Sequence, residues 1–175
     1  SVQEVQSKLM FIFSQPKYLE KRKQDLREGL KKPEAEKDPK LKLMLLNDLG
    51  NVLFMSNDWE EAASVAKETI ALHEKSGDKQ ALGGAYGNLG SILMETEDFK
   101  GAEENYSKAI KIKEESNDKS GLKDLYAGYL NILILAGKIE KAEKLVGKSL
   151  KINTDANNVN GLVADYRNLG NISLQ

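Results

Sequence analysis

Shifted by 40 residues, the sequence aligns with itself without gaps from Asp38 to the C-terminus, and no other feature constrains the fold as much. Leu49-Gly50 returns as Leu89-Gly90 and again as Leu169-Gly170. Val52 matches Ile92, Ile132 and Ile172, and Tyr86 matches Tyr126 and Tyr166. Trp59 matches Phe99 and Ile139, Ala62 matches Ala102 and Ala142, and Ile70 matches Ile110 and Leu150. A chain of this kind is a stack of supersecondary units, each too small to bury its apolar face without a neighbour.

Within a unit the periodicity is helical. Tyr86, Leu89, Gly90 and Leu93 fall at i, i+3, i+4 and i+7, one face of a helix. Phe99, Ala102, Tyr106, Ala109 and Ile110 mark a second face after the short break Thr96-Glu97-Asp98. Breaks this short make neighbouring helices antiparallel. The junctions between units repeat as well: Ser76-Gly77-Asp78, Ser116-Asn117-Asp118 and Ala156-Asn157-Asn158. Gly and Asn tolerate the left-handed conformation that ends a helix, and Asp or Asn caps the next one. Asp38 takes that cap position in the first unit, and Pro39 follows where a missing N–H costs nothing. The small residues Gly50, Gly90, Ala62 and Ala102 are expected on the inner faces, letting the helices of a hairpin approach. The expected organisation is a diverged helical hairpin or cap over 1–37 and repeats over 38–77, 78–117 and 118–157. A first helix, or cap, covers 158–175. Leu9, Ile12 and Phe13 lie 40 residues before Leu49, Val52 and Leu53, with Met10 and Arg22 in place of the small residues.

These residues resemble the tetratricopeptide repeat, whose pattern runs aromatic, Leu-Gly, Tyr or Leu, then Ala, aromatic and Ala. Tyr86, Leu89-Gly90, Leu93, Ala102, Tyr106 and Ala109 fit it well. Leu49-Gly50, Leu53, Ala62 and Ala66 fit it in the unit before, whereas the third unit has Tyr129-Leu130 in place of Leu-Gly. The spacing is similar to the longer variety in kinesin light chains, the Leu-Gly-Asn-repeat G-protein modulators and bacterial peptide-sensing regulators. The resemblance implies an all-α fold, a right-handed superhelical solenoid of antiparallel helix hairpins. It further implies a non-catalytic scaffold that binds a protein or peptide partner in its concave groove. The competing expectation is a structural or self-association module, or an arm of a larger signalling protein, that associates through the open end near Ile172 and Leu174.

By the family pattern, the residue after the Leu-Gly glycine faces the groove: Asn51, Ser91, Asn131 and Asn171. Asparagine offers an acceptor and a donor, and a ladder of them can hold the backbone of an extended peptide. A single such residue is better read as a solvated polar position; asparagine in three of four registers favours the ladder, since Asn is a mediocre helix former. Arg167 stands one turn before Asn171 and is a candidate contact for an acidic ligand. Its equivalents Asn47, Gly87 and Ala127 do not build a carboxylate clamp. Gly84 and Gly87 are expected to leave a bare hollow in the groove. A ligand side chain fills that hollow, or the helix is merely less stable there; both readings stand.

Other functional classes find little support. Lys and Arg number 26 against 27 Asp and Glu, so the net charge of -1 gives no reason to expect nucleic acid or membrane binding. The local excess in residues 17–42, ten Lys and Arg against six Asp and Glu, reads as a solvated face. Without cysteine and with His73 alone, expected at the surface near a helix end, no metal site or histidine-based triad is expected. The carboxylates Asp58, Glu60, Glu61, Glu103 and Glu104 sit where second helices begin, which the helix dipole explains. Met44, Met55 and Met94 lie at helix positions that could flank the groove, with core filling expected for most of them. No cofactor is expected, no apolar run has the roughly 20 residues of a membrane span, and Leu9–Phe13 does not read as a signal peptide. The expected location is cytoplasmic.

Overall fold

A computed structural model describes residues 15–173. The expectations for Leu9, Met10, Ile12, Phe13 and Leu174 lie outside the described residues. Those described form nine helices and no strand, an all-α helical-repeat fold. The helices fall into two compact units that divide after Gly77.

The first unit holds α1 (Pro16–Leu30), the short α2 (Pro33–Lys37), α3 (Pro39–Met55) and α4 (Trp59–Ser76). Each of the first three begins at a proline, which fits the first helical turn because its ring presets φ and no N–H is needed there. Asp38 caps α3 by accepting from the N–H groups of Lys40 and Leu41 at 2.9 and 3.2 Å. Gly77 ends α4 at φ +73°. Leu19 and Leu26 of α1 are buried together with Leu46, Leu49 and Leu53 of α3 and Ala62, Val65, Ala66 and Ile70 of α4.

Three sequence expectations fail in this unit. The basic run on α1 is a set of ties between helices. Arg27 grips Glu61 with two bonds of 2.8 and 2.5 Å, Arg22 reaches Asp48 at 2.8 Å, and the buried Lys23 donates to Asp58 at 2.5 Å. Asp58, drawn to Lys23, makes no side-chain cap to its own helix. His73 is also buried rather than at the surface, because it lies on the inward stripe with Ala62, Ala66 and Ile70, and its Nδ1 has no hydrogen-bond partner. Met44 and Met55 are exposed, so only Met94, in the second unit, serves as core filling.

The second unit runs α5 (Lys79–Glu95), α6 (Phe99–Glu115), α7 (Lys119–Leu135), α8 (Ile139–Asp155) and α9 (Val159–Ser173). Each helix packs on the next, and α5 also packs on α7. The turns share one chemistry. Asp98, Asp118, Lys138 and Asn158 each donate a backbone N–H to the carbonyl five residues earlier, at 2.8–2.9 Å. The preceding residue, Glu97, Asn117, Gly137 or Asn157, has φ between +50° and +64°. This is the Schellman closure of a helix. The side chains of Asp78, Asp98, Asp118 and Asn158 then cap the next helix through the N–H three residues on.

The core of this unit includes Ala102, Tyr106, Ala109, Leu122, Tyr126, Leu130, Ile132, Leu133, Ala142, Val146 and Ile172. Ile172, expected at an open end, is therefore inside. Tyr129-Leu130, where Leu-Gly was expected, is accommodated by exchanging sizes across the hairpin. Gly90 faces the large Tyr106, and 40 residues on Leu130 is matched with the smaller Val146.

Candidate functional site

Asn51 on α3 and Asn131 and Asn171 on α7 and α9 are exposed, and among the described residues none spends its amide on an internal hydrogen bond. Ser91 differs. Its hydroxyl donates to the Gly87 carbonyl at 3.2 Å and lies 2.8 Å from the Tyr106 hydroxyl. Ser91 thus holds Tyr106 in place and is half-buried, so it is committed to the core. Arg167 is exposed and makes no ion pair within the described residues.

The expected hollow on α5 is present only in part. At Gly84 an added Cβ would meet nothing within 4 Å, so that position is open. At Gly87 the expectation is corrected: a Cβ would stand 2.4 Å from Leu125 Cδ2, because α7 drives Leu125 into the space. Tyr106 closes the same layer. Its ring lies against Gly90, its hydroxyl against Gly128, and it stacks on Tyr129 at 6.5 Å between centroids. Burial pushes the Tyr106 and Tyr129 hydroxyls above the usual tyrosine range, so both stay protonated.

The next layer, between α7, α8 and α9, is hollow. A cavity of about 210 Å³ is lined by Asp124 and Ala127 of α7, Val146 and Asn153 of α8, and Asp165 and Asn168 of α9, among others. Asn131 lies one turn beyond Ala127, and Asn171 three residues beyond Asn168, so the free asparagines follow lining residues of the cavity along the same helix faces. Tyr126 is buried beside it and donates to Glu114 at 2.9 Å. Burial of its ring raises the Tyr126 hydroxyl far above its ordinary value, and the Glu114 carboxylate adds to this.

Sequence reasoning missed a buried polar register. His73, Lys113 and Asn153 are spaced by 40 residues, and all three are buried. Lys113 donates to the Gln80 carbonyl at 2.9 Å and to Asp118 at 2.7 Å. The Lys113 ammonium, and after it the Gly121 N–H, hold the Asp118 carboxyl below the usual range. Asn153 donates to Asp165 at 2.7 Å and accepts from Asn158 at 2.7 Å. At Lys113 and Asn153 the cap of the following helix is thus tied to the end of the preceding one. The signal was available, since polar residues recur in a register whose helical neighbours are apolar. Among the described residues no group of His, Cys, Asp and Glu could hold a metal ion, and no helix is long and apolar enough to cross a membrane.

The architecture is thus that of an all-α repeat protein, and comparison with known proteins says which. Tetratricopeptide repeat family models match residues 43–76 and 83–116, so the chain carries tetratricopeptide repeats over these two segments. Solved structures share the fold at low identity. Aspartyl phosphate phosphatase F from Bacillus subtilis superposes with a TM-score of 0.72 at 19% identity, over 85% of this chain and 38% of that one. Nearly identical TPR-like repeats from Podosopora anserina give 0.67 at 14% identity, over 95% of this chain and 86% of that one. A Rap protein complexed with Competence and Sporulation Factor gives 0.66 at 16% identity, over 90% of this chain and 48% of that one. The chain therefore spans well under half the length of the first of these relatives. No curated protein matches it in sequence.

Proposed function

We propose that the chain is a non-catalytic protein-interaction scaffold that binds an extended peptide segment of a partner along the exposed stripes of its first-of-pair helices. The observation that carries this reading is the state of the asparagines. Asn131 and Asn171 stand exposed in one register of α7 and α9 with their amides unspent, and Ala127 and Asn168, about one turn earlier on the same helices, line a cavity of side-chain size. Asn51 offers the same free amide on the first unit. Each amide can pair with a peptide group, and each such bond contributes about 0.5–1.5 kcal/mol net, so binding needs several at once. Tetratricopeptide repeats generally serve as interaction modules, and the Rap neighbour was solved with a bound factor. The test is selection from a phage-displayed decapeptide library, followed by calorimetry on the selected peptides. Asn131→Ala with Asn171→Ala is expected to weaken the selected peptides about 10- to 100-fold, the sum of two to three such bonds. Unchanged affinity in a variant of unchanged helicity would remove the asparagines from the site.

One observation favours the self-association reading. Val159, Val163 and Tyr166 form an exposed i, i+4, i+7 stripe on α9. A second copy that buries this stripe would give a concentration-dependent dimer in sedimentation velocity, abolished by Tyr166→Glu. A single monomeric species at all concentrations removes that reading.

A further inference from the structure

We infer that the cavity between α7, α8 and α9 is a cation subsite, in which Asp165 receives the guanidinium or ammonium group of a basic side chain on the bound peptide. This rests on the peptide-binding reading above.

The case is built from what the repeat would otherwise put there. One unit earlier, Leu125 stands where Asp165 stands and plugs the hollow at Gly87, while Tyr106 fills the floor where Val146 lies. Both replacements remove volume, and the first places a carboxylate in the wall of the resulting space. Asp165 is only 4% exposed, and its one side-chain partner is the neutral Asn153 amide. Among the described residues no Lys or Arg pairs with it. A carboxylate this buried without a counter-charge is costly, and proteins normally supply one. Asp124 stands at the rim and adds a second negative charge. Lys123 lines the same cavity but makes no ion pair there, so the described wall carries more negative than positive charge. In the equivalent layer a cation does sit at this depth: Lys113, in the register of Asn153, occupies the place with its own ammonium. The chain has thus exchanged an internal lysine for an asparagine and an apolar plug for a carboxylate, which leaves a seat for a cation from outside. At about 210 Å³ the space is smaller than the roughly 300–1,000 Å³ of small-molecule sites. It accommodates one long side chain rather than a free metabolite. The lining residues Ala127 and Asn168 stand about one turn before Asn131 and Asn171 on α7 and α9, along which the peptide backbone would run.

The experiment is an amide-detected NMR titration of the full chain with n-butylguanidinium, using n-butylurea as the neutral probe of the same shape. Saturable shifts at the Asn153, Asn158 and Asn168 side-chain amides and at the Gly161 N–H are expected with the cation and not with the urea. Asp165→Asn, which keeps the shape, should weaken the cation at least tenfold. Lys123→Ala should tighten it several-fold by removing a competing charge. No saturable shift in the wild type, or equal shifts in Asp165→Asn, overturns the subsite. The peptide library separates this from the parent reading. Selected decapeptides enriched in Arg or Lys for the wild type, and no longer enriched for Asp165→Asn, support the subsite. Selected peptides without basic enrichment sink it while leaving peptide binding intact, whereas cation binding with no selectable peptide supports the subsite and sinks the parent reading.

Discussion

The two successive layers of the second unit share one backbone plan and differ in almost everything inside it. In the layer of α5, α6 and α7, Tyr106 is wedged between Gly90 and Gly128, Leu125 covers Gly87, and Lys113 ties Asp118 to the Gln80 carbonyl. In the layer of α7, α8 and α9 the same registers hold Val146, Leu130, Asn168, Asp165, Ala127 and Asn153. The first layer is filled; the second leaves an open cavity whose largely apolar lining carries a few polar side chains, Asp165 and Asn153 among them. Yet the turns on either side close with the same backbone bonds and the same capping registers. Local chemistry at the turns therefore fixes where the helices go, and the residues between them decide whether a layer is solid or receptive.

The sharpest way to break the comparison is to empty the filled layer. Tyr106→Ala removes the ring between two glycine-bearing helices and is expected to destabilise the second unit by about 3–5 kcal/mol, the usual range for deleting a buried aromatic. Val146→Ala, beside the existing cavity, should cost well under half as much. Trp59 is the only tryptophan and lies in the first unit, so its fluorescence does not read these variants. Hydrogen exchange at Leu130 and Ile132 does. Equal losses at the two positions would mean that the layers do not differ in packing.

Lys113→Met tests the buried tie, and about 1.5–3 kcal/mol should be lost because a charged hydrogen-bonded partner is removed from Asp118. This loss carries a pH signature. The Asp118 carboxyl is held below its unfolded value, first by Lys113 and then by Gly121. A depressed carboxylate stabilises the fold fully above its unfolded pKa of about 3.9 and loses that contribution as pH falls through the lower folded value. The wild-type advantage over Lys113→Met should thus be flat at neutral pH and shrink below about pH 4. A gap that instead widens in acid would show that Asp118 is not the partner that matters.

Gly128→Ala sharpens the comparison on the opposite side of Tyr106. The added Cβ would stand 2.5–2.8 Å from the ring end and hydroxyl, which Ser91 holds in place. Overpacking of this kind costs about 1–3 kcal/mol, offset by up to ~1 from better helix propensity, so a net loss of about 1–2 is expected. Gly84→Ala has no such obstruction and should be neutral or stabilising in the same denaturation assay.

How much of this was legible follows from which interactions are local. Asp38, Asp78, Asp118 and Asn158 were readable as caps, and Gly77, Asn117 and Asn157 as helix ends, because each acts on backbone within a few residues of itself. The basic residues of α1 were misread as solvated because their partners lie 26 to 35 residues away, at a separation unrelated to the repeat. Gly87 was read as a groove hollow because nothing in its own helix announces that Leu125 comes from the next unit to fill it. Gly128 carried no signal at all, since Asn88 and Asn168 share its register. The asparagine positions came from the resemblance to the family pattern, carried along the repeat register. Their exposure and unspent amides could not be read there, because Ser91 in the same register is tied to Tyr106.

The smallest effect compares the two turns that join the hairpins of the same pair of layers. Glu97 and Gly137 occupy one register, and both are left-handed, at φ 60° and 64°. For glycine this conformation carries no steric cost, whereas for a side chain it costs about 1–2 kcal/mol through the close approach of Cβ to the carbonyl. Glu97→Gly relieves that strain but also loosens the unfolded chain, which returns part of the gain. The net expectation is stabilisation by about 0.5–1 kcal/mol. The reciprocal change, Gly137→Ala, should destabilise by a similar amount. If Glu97→Gly instead destabilises, the side chain of Glu97 makes a contribution that its geometry does not reveal, and the rule that turn chemistry alone positions these helices fails at this junction.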